Sequence, residues 1–170
     1  METAEINFTE ELTDTSFSSV INSCTEDSSF KDEIALANIL VAPYDIPIDT
    51  DDKFKFANKN IFPVSTSELF RYLKQKAPEE IKLDIATKDE DYLELAQHSD
   101  LVNLPTIIVS TIVSPIVVGL ITNYIYDSLK VEKTTIKSEI IVSDSNGNNK
   151  SFKYEGPADQ YELTMSKIFK

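Results

Sequence analysis

Glu80 and Lys82, two positions apart in this 170-residue chain, come nearest to a named chemistry. In metal-dependent nucleases a carboxylate holds the cation and a lysine supports the developing charge. Asp49, Asp51 and Asp52 supply further carboxylates upstream that suit a divalent cation. The commoner origin of such a pair is a solvated strand face, so a small metal-dependent hydrolase or nuclease stands only as an alternative function. Cys24 and His98 are the sole cysteine and the sole histidine. A nucleophile pair needs the two side by side with a third orienting group, and Cys24 lies in a sparse polar stretch, so His98 reads more plainly as a helix-end residue.

Asp144, Asn146, Asn148 and Glu155 match the alternating and terminal oxygen positions of a calcium loop. The turn position that needs glycine there is Asn149, however, and strands rather than helices flank the stretch, so a plain hairpin turn is the expectation. With three glycines in all, neither a GxGxxG nor a Walker-type phosphate loop is present. No cofactor and no metal are expected. Asp89, Glu90, Asp91 and Glu94 make a dense negative patch, read as the solvated face of one short helix.

The charge balance restricts partners further. Sixteen basic against 29 acidic residues give a formal net charge of -13, a field that repels phosphate backbones and anionic lipid. Nucleic acid is therefore not an expected partner, whereas a basic protein is an admissible one. One cysteine excludes an intrachain disulfide and a cysteine-rich zinc site. The acidic start, Met1 to Glu5, lacks the basic and apolar regions of an export signal, and no lipidation pattern is present, so a cytoplasmic or membrane-associated placement is expected.

Those residues need elements to position them. Residues 1–31 are rich in Ser, Thr, Asp and Glu with scattered apolar positions, and read as a flexible acidic arm. Residues 32–100 read as a small α/β or α+β unit. An apolar run at 34–42 ends at Pro43, and Lys53-Phe54-Lys55-Phe56 alternates as a strand. Ser65 and Glu68 have capping-box spacing before a helix carrying Leu69, Phe70 and Leu73, and Ile81, Leu83 and Ile85 alternate as a second strand. Thr87 and Glu90 repeat the capping-box spacing ahead of a short acidic helix containing Tyr92, Leu93 and Leu95. Residues 130–170 read as a β-hairpin turning at Asn146-Gly147, followed by a helix after Gly156-Pro157.

Between these units, residues 101–129 form an apolar segment with no charge from Leu101 to Tyr126, and eleven of the eighteen positions from Leu104 to Ile121 are Leu, Ile or Val. About 20 helical residues cover the roughly 30 Å hydrocarbon core of a bilayer, so one long apolar helix at 101–126 is expected. On that helix Thr111, Pro115 and Gly119 fall four apart, with Ser110 and Ser114 beside them, a small-residue interface for a second helix. A helix wholly buried in an oligomer has the same composition, as do two buried strands broken at Ser114-Pro115. Lys130, Lys133 and Lys137 follow the segment while its N-terminal side is acidic, which makes a constitutive span awkward.

The fold class expected is therefore α+β: a small mixed sheet with short helices, one long apolar helix, and a C-terminal hairpin followed by a helix. The function expected is non-enzymatic: a membrane-associated or oligomerising effector or complex subunit, partnered by a protein or by itself. The first alternative is an acidic binding or inhibitor protein with an obligate apolar interface.

Overall fold

A computed structural model of the chain describes residues 5–44, 60–95 and 101–169. The mixed α+β architecture expected from the sequence is present, with five short α-helices and a mixed sheet among the described residues. The strands are β1 (Asn7–Leu12), β2 (Ile39–Ala42), β3 (Asn60–Pro63), β4 (Leu83–Ile85), β5 (Tyr92–Leu95), β6 (Leu101–Asn103), β7 (Thr106–Ser110), β8 (Thr135–Ser143) and β9 (Asn149–Pro157). The helices are α1 (Phe17–Cys24), α2 (Ser28–Ile34), α3 (Thr66–Lys76), α4 (Ser114–Ser128) and α5 (Tyr161–Met165).

The main sheet runs β1-β9-β8-β7-β2-β4, with β6 also paired to β8. The β8–β9 hairpin is antiparallel, as the Asn146-Gly147 signal requires, and Gly147 takes the positive φ of 83°. β1 adds antiparallel to the outer side of β9, while β7 lies parallel to β8 with α4 as the crossover between them. β6 and β7 follow one line along β8, interrupted at Leu104-Pro105. Pro105 has no N–H to give the ladder, which accounts for the interruption.

Both faces of the sheet centre are covered. Ile39, Val41, Ile107, Val109 and Ile140 pack toward α3, α4 and α5, while Leu40, Ala42, Ile108 and Ile141 pack toward α1 and α2. A strand buried on both sides reads as a continuous apolar run, which is what Ile107-Ile108-Val109 and Ile39-Leu40-Val41 do. β3 and β5 form a separate parallel pair, with the Phe62 and Tyr92 rings stacked at 4.9 Å.

The long helix expected at 101–126 is not found. The segment divides into β6, β7, a turn, and α4, and among the described residues no helix is long and apolar enough to cross a membrane. Its composition has another cause: β7 is sandwiched in the sheet, and Val117, Val118, Ile121 and Ile125 of α4 lie at 1% exposure or less in the core. Burial in protein and burial in lipid select the same side chains.

Three further expectations change. The stretch read as a flexible arm carries β1 and α1, the latter opened by a capping box in which Ser19 N–H donates to Ser16 Oγ at 3.1 Å and Ser16 N–H to Ser19 Oγ at 2.8 Å. The acidic helix expected after Thr87 is instead a 3-10 turn, Asp89–Asp91, running into strand β5. The strand expected from Ile81 begins at Leu83. The alternating strand expected at 53–56 lies outside the described residues.

Candidate functional site

Among the described residues, α1 and α2 cover one face of the sheet over β2 and the middle of β7 and β8. Beyond α1, the strands β7, β8, β9 and β1 leave an open groove of about 1280 Å³. Its floor is set by strand alternation: Ile136, Ile140, Phe152 and Tyr154 point into the core, so Lys137, Glu139, Lys153 and Glu155 point into the groove. Asn7 and Thr9 extend the floor on β1, and Ser19, Val20 and Ser23 of α1 form one wall.

The register fixes the electrostatics of this floor. Lys137 stands opposite Glu155 and Glu139 opposite Lys153, so each cation faces a carboxylate across β8 and β9. Glu139 also accepts a hydrogen bond from Thr106 Oγ1 at 3.2 Å and one from Ser151 Oγ. Cross-strand charge pairs and a carboxylate already held by two hydroxyls make a polar contact surface.

The residues singled out in the sequence do not converge. Glu80 lies exposed ahead of β4, while Lys82 Nζ donates to the Glu33 carbonyl at 3.3 Å and sits 3.8 Å from Asp84 Oδ2. Asp49, Asp51, Asp52 and His98 lie outside the described residues. Cys24 is buried with its Sγ donating to the Ile21 carbonyl at 3.3 Å, and burial pushes its thiol up, the reverse of what a nucleophile needs. Asp144 accepts backbone N–H groups from Asn146 and Asn148, both at 2.9 Å, and those bonds hold its carboxyl below the usual range. Its work is to brace the hairpin loop. Among the described residues no three His, Cys, Asp or Glu side chains gather in a metal-binding group.

The acidic patch does not share one helix. Asp89, Glu90 and Asp91 occupy the 3-10 turn, where Lys88 bridges Glu90 at 3.3 Å and Asp27 at 3.0 Å, whereas Glu94 lies on β5. There its carboxylate reaches the start of α3 and accepts Ser65 N–H at 3.2 Å, Ser67 N–H at 3.0 Å and the Tyr92 hydroxyl at 2.6 Å. Ser65 itself has a left-handed φ of 71° and no side-chain capping bond, so the capping box expected with Glu68 is replaced by a carboxylate from a neighbouring strand. Spacing along the chain gives no sign of a cap supplied 27 residues away.

The small-residue interface is also dispersed. Ser110 ends β7, Thr111 lies in the turn, Ser114 is buried with its hydroxyl donating to the Thr111 carbonyl at 2.8 Å, and Pro115 is exposed in the first turn of α4. A strand end and a turn separate Ser110 and Thr111 from Pro115 and Gly119, which keep their spacing within α4, because residues four apart share a face only in a continuous helix. Gly119 has nothing within 4 Å of where a Cβ would stand. Gly119→Ala is therefore expected to stabilise the fold by about 0.5–1 kcal/mol through helix propensity, read from urea denaturation. A loss of stability would show that this glycine serves a close contact after all.

Sequence reasoning passed over the groove, although its signal was legible in part: the alternation of Lys137, Glu139, Lys153 and Glu155 with core residues marks one face of the hairpin as polar. Comparison of the chain with protein-family models, with curated proteins and with solved structures finds no match to any of them.

Proposed function

We propose that the chain is a non-enzymatic, acidic protein-binding module whose N-terminal face takes a basic protein partner. The observation that supports this reading is the charge of residues 5–34, which form β1, α1 and α2. Glu5, Glu10, Glu11, Asp14, Glu26, Asp27, Asp32 and Glu33 are all exposed, against Lys31 as the sole cation of the stretch. Two of these carboxylates, Glu10 and Asp27, are paired to lysines elsewhere in the chain. An excess of one sign of this kind raises the encounter rate with an oppositely charged partner and disfavours partners of like charge. The apolar segment, which suggested membrane insertion or helix-mediated assembly, is engaged in the core through β7 and α4, so the contact surface belongs elsewhere.

The reading is tested with an acetylated octalysine peptide as probe. Its association with the protein is expected to slow at least ~tenfold as added salt shortens the screening length from about 10 Å at 0.1 M to about 3 Å at 1 M. Combining Glu11→Gln, Asp14→Asn, Asp32→Asn and Glu33→Gln should remove most of that dependence, while Glu79→Gln with Glu80→Gln should leave it. Equal loss from both sets, or association that ignores salt, would overturn the reading.

A further inference from the structure

β1 is the outermost strand of the main sheet, and among the described residues no strand pairs with its outer side. Thr13 N–H donates to the Asn149 carbonyl at 3.0 Å, which fixes the phase of the β1–β9 ladder. In an antiparallel pair, residues alternate between those that bond the partner and those that face away. Asn7, Thr9 and Glu11 therefore spend their backbone groups on β9, and Phe8, Glu10 and Leu12 direct their N–H and C=O groups outward. Every β1 residue except Phe8 is exposed, and Ile6 and Leu12 keep 42% and 78% of their surface in water. An unpaired edge of six residues flanked by exposed apolar side chains is a template for another strand.

The side chains state which strand fits. Glu10 and Glu11 point to opposite faces of the sheet, so an incoming strand meets one carboxylate on each face. Glu10 already touches Lys150 at 3.2 Å, but this pair is half exposed and of the weak surface kind. A second copy of this chain would bring its own Glu10 and Glu11 into the same ribbon, together with a second net charge of -13. We infer that the β1 edge binds an extended segment of a basic partner as an added antiparallel strand, with adjacent cationic residues beside Glu10 and Glu11 and apolar residues beside Ile6 and Leu12.

This inference rests on the acidic-module reading, and the experiment separates the two. The probe is the hexapeptide acetyl-Thr-Val-Lys-Lys-Val-Thr-amide, and the readout is amide hydrogen exchange in the full chain. On binding, exchange at Phe8, Glu10 and Leu12 is expected to slow at least ~tenfold, because those amides gain partners, while Asn7, Thr9 and Glu11 are protected beforehand. Glu10→Gln removes the charge and keeps the outward N–H, so affinity falls but protection at Phe8 and Leu12 persists. Glu10→Pro also removes the outward N–H, which β9 does not use and which an edge strand can lose, and should bind at least ~tenfold more weakly than Glu10→Gln. The same hexapeptide N-methylated at its fourth residue should fail to bind, whereas methylation at the third residue should be tolerated, with no change to the protein. Salt-dependent peptide binding without protection at these three amides would overturn strand addition and leave the acidic-module reading standing. Absence of any salt-dependent binding would overturn both. Protection that rises with protein concentration alone would assign the edge to a second copy and overturn the basic partner.

Discussion

Tyr161→Ala is expected to lower the unfolding free energy by about 4 kcal/mol, the range for truncating a fully buried aromatic side chain. Tyr161 is completely buried in α5, its ring meets that of Tyr154 edge-on at 5.2 Å, and its hydroxyl lies 3.1 Å from Ser138 Oγ on β8. Burial pushes the phenol above its ordinary titration range. The polar part of the effect is separable. Tyr161→Phe keeps the ring but leaves the buried Ser138 hydroxyl without that partner, a loss of about 1–2 kcal/mol. Adding Ser138→Ala to Tyr161→Phe should recover most of that loss, since removing both partners leaves nothing unsatisfied. Urea denaturation of the three variants measures the set, and a loss under about 1 kcal/mol for Tyr161→Ala would mean that α5 is not anchored through this ring.

The second large effect is expected at Glu94. Its carboxylate serves two backbone N–H groups at the start of α3 and the Tyr92 hydroxyl, so Glu94→Ala should cost about 2–3 kcal/mol by leaving all three donors without that acceptor. Glu94→Gln, with one carbonyl oxygen in place of two carboxylate oxygens, should recover part of the loss. Burial raises the carboxyl of Glu94, but the Tyr92 hydroxyl and the Ser67 and Ser65 N–H groups outweigh it and hold the carboxyl below its ordinary value. A depressed folded-state value means that the unfolded chain binds the proton first. The stabilisation is then complete above the unfolded value of about 4.5 and is lost as pH falls through the lower folded value. The wild-type and Glu94→Ala curves should accordingly converge on acidification below about pH 4. Parallel curves down to pH 2.5 would show that the carboxylate is not what caps α3.

How much of this was legible in the chain follows from whether each signal was local. The hairpin at Asn146-Gly147 and the helix after Ser65 were readable because turn conformation and apolar spacing act over a few residues. The mixed α+β class was readable for the same reason. Residues 101–126 were misread as one helix because their composition reports burial without reporting what does the burying: sheet neighbours on two faces for Ile107 to Val109, and helices and sheet together for Val117 to Ile125. β1 was hidden because it is an edge strand: Phe8 alone is half buried, and no alternation marks the other five residues. The cap from Glu94 to Ser65 and Ser67 joins elements that meet only in the folded chain, as does the Ser138–Tyr161 contact.

The pairing of β1 with β9 closes a loop of some 140 residues, from Glu10 to Lys150. During synthesis at about 5–20 residues per second, β1 is made roughly 7 to 28 seconds before β9 exists to receive it. For that interval both of its edges are open, and neighbouring nascent chains on the same message carry the same strand. Glu10 and Glu11 then act as gatekeepers, since a second copy brings the same two carboxylates and pairs poorly with the first. The β8–β9 hairpin has contacts that are local in sequence, a class of pairing that forms on the order of microseconds, whereas β1 has no native partner until β9 has been made. Replacing both glutamates by threonine removes from the native state only the surface pair of Glu10 with Lys150 and is expected to lower the yield of folded chain during translation.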